Sequence, residues 1–347
     1  MGKYQVVEPG DIVFNKLRTW QGGLGVSEYK GIVSPAYFVC RPKRDFSARF
    51  LHYLLLSAPY LQELTRVSKW QPPSQFDITW EQLRQVPIVA PRLRVQQAIA
   101  AYLDAETTRI DALIEKKQRM IALMDERTAA YLCSVFDEAS GVRRSLRAIA
   151  SVTLGRQRSP ENDEGPHMVR YLRAANVKDG ILDLEDVKSM NFTPMEQERF
   201  ALRRGDVLVT EGAGSLAAVG ASCVWQEELE GTVCIQNTLL RLRPQPGIDG
   251  EYLAWWCRYA YRSRLLAAIA GGANIFHLTA EKIRTVPCVV PSTEEQSRMV
   301  GELRRSFAKS DHVRSRLVEQ IEVLVERRQA LITAAVTGQL EIPGVAA

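Results

Sequence analysis

The chain matches itself. Shifted by 200 positions, it aligns Phe76 with Phe276, Thr79 with Thr279, Glu81 with Glu281, Arg84 with Arg284, Val86 with Val286, Pro87 with Pro287, Val89 with Val289 and Pro91 with Pro291. Eight of those sixteen positions agree, where unrelated sequence gives about one. The same shift pairs Gln96 with Gln296, Leu103 with Leu303, Ile121 with Ile321, Glu126 with Glu326 and Arg127 with Arg327; upstream it pairs Gly31 with Gly231 and Val33 with Val233. Gly10-Asp11 matches Gly205-Asp206 at a shift of 195, as expected where loops between matched strands differ in length. Whatever one copy folds into, the other must fold into as well.

The copies are unequal. Residues from about 143 to 198 precede the point in the second copy where the first begins, so the first copy is read as lacking its opening third.

Within each copy GDIVFNKL, AYFVCRP, GDVLVTE and NTLLRLRP are short, rich in β-branched residues and bounded by Gly, Pro or Asn, which predicts strands. FLHYLLLSAPYLQELTRV and YLAWWCRYAYRSRLLAAIA predict amphipathic helices. After Pro91 and Pro291 come about forty residues almost free of Gly and Pro, with an apolar seam at heptad spacing. It runs Leu103, Ile110, Ile114, Ile121, Met124, Tyr131 in the first copy and Leu303, Phe307, Leu317, Ile321, Leu324, Leu331 in the second. Polar residues interrupt it at Thr107, Lys117, Thr128, Ser310, Arg314 and Arg328. Two single-stripe helices in one chain most simply bury their stripes against each other. At about 1.5 Å per residue each is a rod of roughly 60 Å. Thr293 with Gln296 fits a capping box at the start of the second rod, and the first has none.

The expected fold class is therefore α+β: two domains of mixed strands and helices, each followed by a long helix, the two helices forming an antiparallel coiled coil. The boundaries are a partial first domain at 1–91, its helix at 92–138, a complete second domain at 143–291, its helix at 292–338 and a tail at 339–347.

Catalytic motifs find little support. TEGAGSLAAVG (Thr210 to Gly220) lacks the lysine of a phosphate loop, and QPPSQF (Gln71 to Phe76) has Gln where a methyltransferase places its amide or carboxylate, so both read as turns. His52, His167, His277 and His312 are scattered, and Cys40, Cys133, Cys223, Cys234, Cys257 and Cys288 include no CxxC pair; no metal site is expected, and the cysteines read as buried thiols of a reducing cytoplasm. No run approaches the roughly 18 apolar residues of a membrane span. A formal charge of +5 allows nucleic-acid binding without demanding it. The polar chemistry that remains suits phosphates and base edges: Lys16, Arg18, Lys69 and Gln71 in the first copy, and Arg156, Arg158, Arg170, Arg173, Lys178, Asn274 and His277 in the second.

These strings resemble the specificity subunits of type I restriction-modification systems. The resemblance rests on YLRAANVKDGIL, RRGDVLVTEGA, PGDIVFNKLR and GIVSPAYFVCRP, and most specifically on FDITWEQLRQVPIVAPRLRVQQAIAAYLD, FHLTAEKIRTVPCVVPSTEEQ and the closing ERRQALITAAVTGQL. It implies that each domain reads one half of a split target in double-stranded DNA, with the helical pair fixing the gap. It further implies a non-catalytic subunit that scaffolds methyltransferase subunits carrying S-adenosylmethionine, joined by a restriction and translocase subunit using ATP and Mg. A partial subunit acting as a coiled-coil adaptor, or a half-reader that dimerises, is the alternative.

Overall fold

A computed structural model describes residues 4–71, 75–213, 219–271 and 276–342. It divides into two compact units, one of Met1–Ile121 with Ser315–Ala347, the other of Ala122–Arg314. Each unit takes part of both long helices, Leu93–Asp137 and Thr293–Val336.

The second unit is built on a four-stranded antiparallel sheet in the order Ser222–Val224, Val207–Thr210, Leu239–Pro244, Ala150–Leu154. All four residues of Val207–Thr210 are buried, because alternate side chains of a strand point to opposite faces and both faces are covered. Val207 and Val209 enter a core with Leu240, Leu242, Tyr252 and Trp256. Leu208 enters another with Leu172, Phe192 and Ile235. That second core lies against a three-stranded sheet in which Met168–Leu172 pairs antiparallel with Lys188–Asn191 and parallel with Val233–Ile235.

The first unit repeats the plan. Its sheet, ordered Leu24–Val26, Ile12–Asn15, Tyr37–Cys40, matches three of those four strands. The shared turn before the central strand explains the Gly-Asp repeat. Gly10 and Gly205 stand at φ 90° and 85°, where only glycine is unstrained. Asp11 Oδ2 accepts from Glu8 N at 2.9 Å, as Asp206 Oδ2 does from Arg203 N at 2.8 Å. Each carboxylate also receives an arginine from a neighbouring strand or its end, Arg41 Nε at 2.9 Å and Arg243 Nε at 2.8 Å. The Arg41 guanidinium holds the Asp11 carboxyl below its ordinary range.

Each segment read as one amphipathic helix is two. FLHYLLLSAPYLQELTRV divides into Ala48–Leu56 and Ala58–Val67 because Ser57 is extended and Pro59 can only open a helix. YLAWWCRYAYRSRLLAAIA divides into Gly250–Arg262 and Leu265–Ile269 at Arg264, which adopts φ 65°.

The long helices pair antiparallel. In the first unit Asp111 Oδ1 meets Arg328 Nε at 3.0 Å and Lys117 Nζ donates to Gln320 Oε1 at 2.6 Å. In the second, the Thr128 and Ser310 hydroxyls lie 3.4 Å apart. Lys117, Thr128, Ser310 and Arg328 are thus partnered across the seam, whereas the Thr107 hydroxyl donates to Leu103 O on its own helix. Leu103, Ile110, Leu303, Phe307 and Leu317 are buried, while Ile114, Ile121, Met124, Tyr131, Ile321, Leu324 and Leu331 are half-buried, as expected of a two-helix seam. The capping box is not formed. Ser292 Oγ accepts from Glu295 N instead, and the Gln296 side chain turns inward.

Candidate nucleic-acid interface

In the first unit the central strand ends at Asn15, whose side chain accepts from Leu17 N at 3.1 Å and starts a tight turn into the short helix Thr19–Gln21. The Thr19 hydroxyl, fully buried, donates to Asn15 O at 2.6 Å and closes the turn. A hairpin of Lys69–Gln71 with Gln75–Asp77 docks on it: the Phe76 ring lies 4.9 Å from Trp20 and 4.9 Å from Trp70, and Ile78 N donates to Lys16 O. Trp70 is 48% exposed.

This arrangement gathers Lys16, Arg18, Lys69 and the strand position of Gln71 around an aromatic cluster. Lys16 is held, donating to Pro35 O at 2.6 Å and lying 4.5 Å above the Phe38 ring. Arg18 and Lys69 are exposed, and among the described residues neither forms an ion pair. The aromatic members Trp20, Trp70 and Phe76 were not among the contact residues read from sequence; the signal was three aromatic residues within or beside the same strings as the cations.

In the second unit the predicted cations are engaged. Arg156 is mostly buried, pairing with Glu196 Oε1 at 2.7 Å, donating to Asn191 O and covering the Phe192 ring. Arg158 forms a two-pronged pair with Asp163, at 3.2 and 3.0 Å. Arg170 donates to Glu230 O, Arg173 pairs with Asp186, Lys178 with Asp183 at 2.7 Å, and His277 Nδ1 with Glu211 Oε2 at 3.0 Å. Exposed pairs of this kind contribute little to stability, so Arg158 and Lys178 can exchange a carboxylate for a phosphate at small cost, whereas Arg156 is part of the packing. Asn274 lies outside the described residues, as does part of TEGAGSLAAVG.

The string AANVKDG acts as scaffold. The buried Asn176 amide donates to Asp183 O and Asp186 O, while its oxygen accepts from Arg173 N. Asp179 then bridges Arg258 Nε at 2.9 Å and Arg262 Nε at 2.6 Å, and Arg258 is stacked 4.5 Å from Trp255 and 4.6 Å from Phe307. The hairpin Val177–Lys178 with Ile181–Leu182, bearing Lys178, is thereby fixed to the helix below it.

Reactive groups are scarce. Burial pushes the Cys40 thiol up to about 11, with the Asp11 charge adding to it, and burial pushes Cys223 and Cys234 to about 12, so none is an available thiolate near neutrality. No helix among the described residues is long and apolar enough to cross a membrane, and they hold no cluster of three or more His, Cys, Asp or Glu placed for a metal ion.

No protein-family model matches the chain. It is 26% identical over 174 residues to the type I restriction enzyme StySPI specificity subunit of Salmonella potsdam, a match covering 49% of this chain and 36% of that protein. It is 20% identical to the EcoKI specificity subunit of Escherichia coli K12 over 97% of this chain and 76% of that one. The chain thus spans about a third of the first relative and about three quarters of the second. Among solved structures, a chain from a type I R-M system described for its complex assembly and conformational transition superposes with a TM-score of 0.77 at 20% identity, over 97% of this chain and 84% of that one. The HsdS subunit of Thermoanaerobacter tengcongensis superposes at 0.55 with 22% identity, over 96% and 82%. These structures share the fold.

Proposed function

We propose, taking as premise that the chain belongs with the specificity subunits of type I restriction enzymes, that it is the non-catalytic DNA reader of such a complex. One observation carries the reading. The two units use the same strand order and the same Gly-Asp turn, and each is joined to the same antiparallel helix pair. A duplicated reader on a paired helix suits a target in two separated halves. The Trp20, Trp70 and Phe76 cluster with Arg18 and Lys69 is the contact surface of the first unit. The Arg158, Lys178 and His277 loops serve the second. Phosphate contacts position the modules and base-edge contacts specify. The partners in this reading are duplex DNA, methyltransferase subunits that bring S-adenosylmethionine, and a restriction and translocase subunit that brings ATP and Mg.

Titration of duplexes across a salt series tests this reading against a protein adaptor. A split-site reader loses affinity with a slope of about 0.9 per phosphate neutralised while preferring one site throughout. A protein adaptor shows neither.

A further inference from the structure

The inward-turned Gln296 has a twin. Gln296 and Gln96 are 0% and 1% exposed. Gln296 Nε2 donates to Pro291 O at 3.0 Å and Gly247 O at 3.1 Å, while its Oε1 accepts from Asp249 N at 2.9 Å. Gln96 Nε2 donates to Pro91 O at 2.8 Å and Asp45 O at 3.0 Å, and its Oε1 accepts from Ser47 N at 2.9 Å. Both amide hydrogens are used, and the two carbonyls and one N–H leave a single orientation for the group. Asp249 and Ser47 are the N-caps of Gly250–Arg262 and Ala48–Leu56. In each unit one buried amide therefore joins three segments: the loop before the module's main helix, the cap of that helix, and the proline that opens the long helix.

The surroundings have diverged. Arg92-Leu93-Arg94-Val95 stands in one copy and Ser292-Thr293-Glu294-Glu295 in the other, and the partners are Asp45 and Ser47 against Gly247 and Asp249. Only the proline, the glutamine and their bonding pattern persist. Apolar contacts also tie each module to its helix, through Ile99, Ala100 and Leu103 in one unit and Met299, Val300 and Leu303 in the other. Those contacts are non-directional and tolerate sliding and rotation, whereas a fully satisfied buried polar group selects one arrangement.

We propose that Gln96 and Gln296 are positioning residues that fix the angle at which each reading module sits on its long helix, and so fix the gap the protein accepts between half-sites. The second clause rests on the DNA-reading function proposed above; the first does not. The test is Gln296→Met, which keeps the side chain's length and removes all three bonds. Gln296→Glu, which keeps the acceptor for Asp249 N, replaces it if the Met variant does not fold. With Cys40 and Cys133 changed to Ala, spin labels at Met195→Cys on the module and His312→Cys on the helix, both within the second unit, report the angle as a distance distribution. The expected result is one narrow distance for the native residue and a distribution at least about twice as wide for the variant, with a cooperative melt in both. An unchanged width in a folded variant overturns the positioning role. Binding to duplexes whose gap is varied one base pair at a time is then expected to show about tenfold preference for one gap natively and about threefold or less in the variant. Broadened distances with unchanged gap preference overturn the link to spacing. Broadened distances with no specific DNA binding by the native chain leave the positioning role standing and sink the DNA reading.

Discussion

Arg84 and Arg284 are the same residue at the same place in the duplication, yet the structure gives them different weight. Arg284 is half-buried and its Nη2 donates to Val152 O at 2.6 Å, tying the helix Ala280–Arg284 to the strand Ala150–Leu154. Arg84 is exposed. Replacing each with Met preserves most of the stem that packs and removes the guanidinium. A partly buried hydrogen bond from a charged donor contributes about 1.5–3 kcal/mol, whereas an exposed side chain without special contacts changes stability by about 0.5 kcal/mol at most. With two compact units a single unfolding transition is not assumed. Amide hydrogen exchange read by peptide is therefore the suitable assay. Arg284→Met should speed exchange in residues 150–154 by about 10- to 150-fold, at one decade per 1.36 kcal/mol. Arg84→Met should change exchange in residues 76–91 by no more than about twofold. Equal effects at the two sites, or less than about twofold for Arg284, would refute the reasoning that partner geometry and not sequence identity sets the energy.

Leu303→Ala removes a fully buried side chain and should cost about 2–5 kcal/mol in denaturant unfolding, while Val323→Ala, 62% exposed on the same helix, should stay within about 0.5 kcal/mol. His52 is held below its ordinary pKa by burial, with Arg328 and Arg49 adding to the effect. The unfolded chain then binds the extra proton first, so stability falls as pH drops from about 6.5 toward the depressed value; melting temperatures of His52→Gln should decline less over that window than those of the native chain. Arg18→Ala and Lys69→Ala should each weaken duplex binding evenly across sequences and reduce the salt slope by about one, and a sequence-dependent effect would assign them to base edges instead.

The periodic parts of the fold were legible. The heptad seam, the four β-branched strands and the duplication itself report local geometry and burial, and all recur in the structure. The broken helices were less so, because one Ser-Ala-Pro and one Ser-Arg step interrupt an apolar pattern that otherwise continues. Gln296 was misread because a Gln three positions after Thr293 is what a capping box uses, and only tertiary contacts show it turned inward, as Gln96 is with Leu93 in the place of that threonine. The candidate interface was legible as a set of cations but not as a surface. Which cations meet a carboxylate depends on pairings such as Arg158 with Asp163 and Arg156 with Glu196, and the Trp20, Trp70 and Phe76 cluster joins segments about fifty residues apart.

The central claim is that this chain decides which DNA sequence its partner enzyme modifies. The direct measurement is genome-wide mapping of methylated bases in cells carrying the chain with its methyltransferase partner, against cells lacking only the chain. The account predicts a motif in two halves with a fixed gap that vanishes with the chain. An identical methylation map in both strains would contradict it.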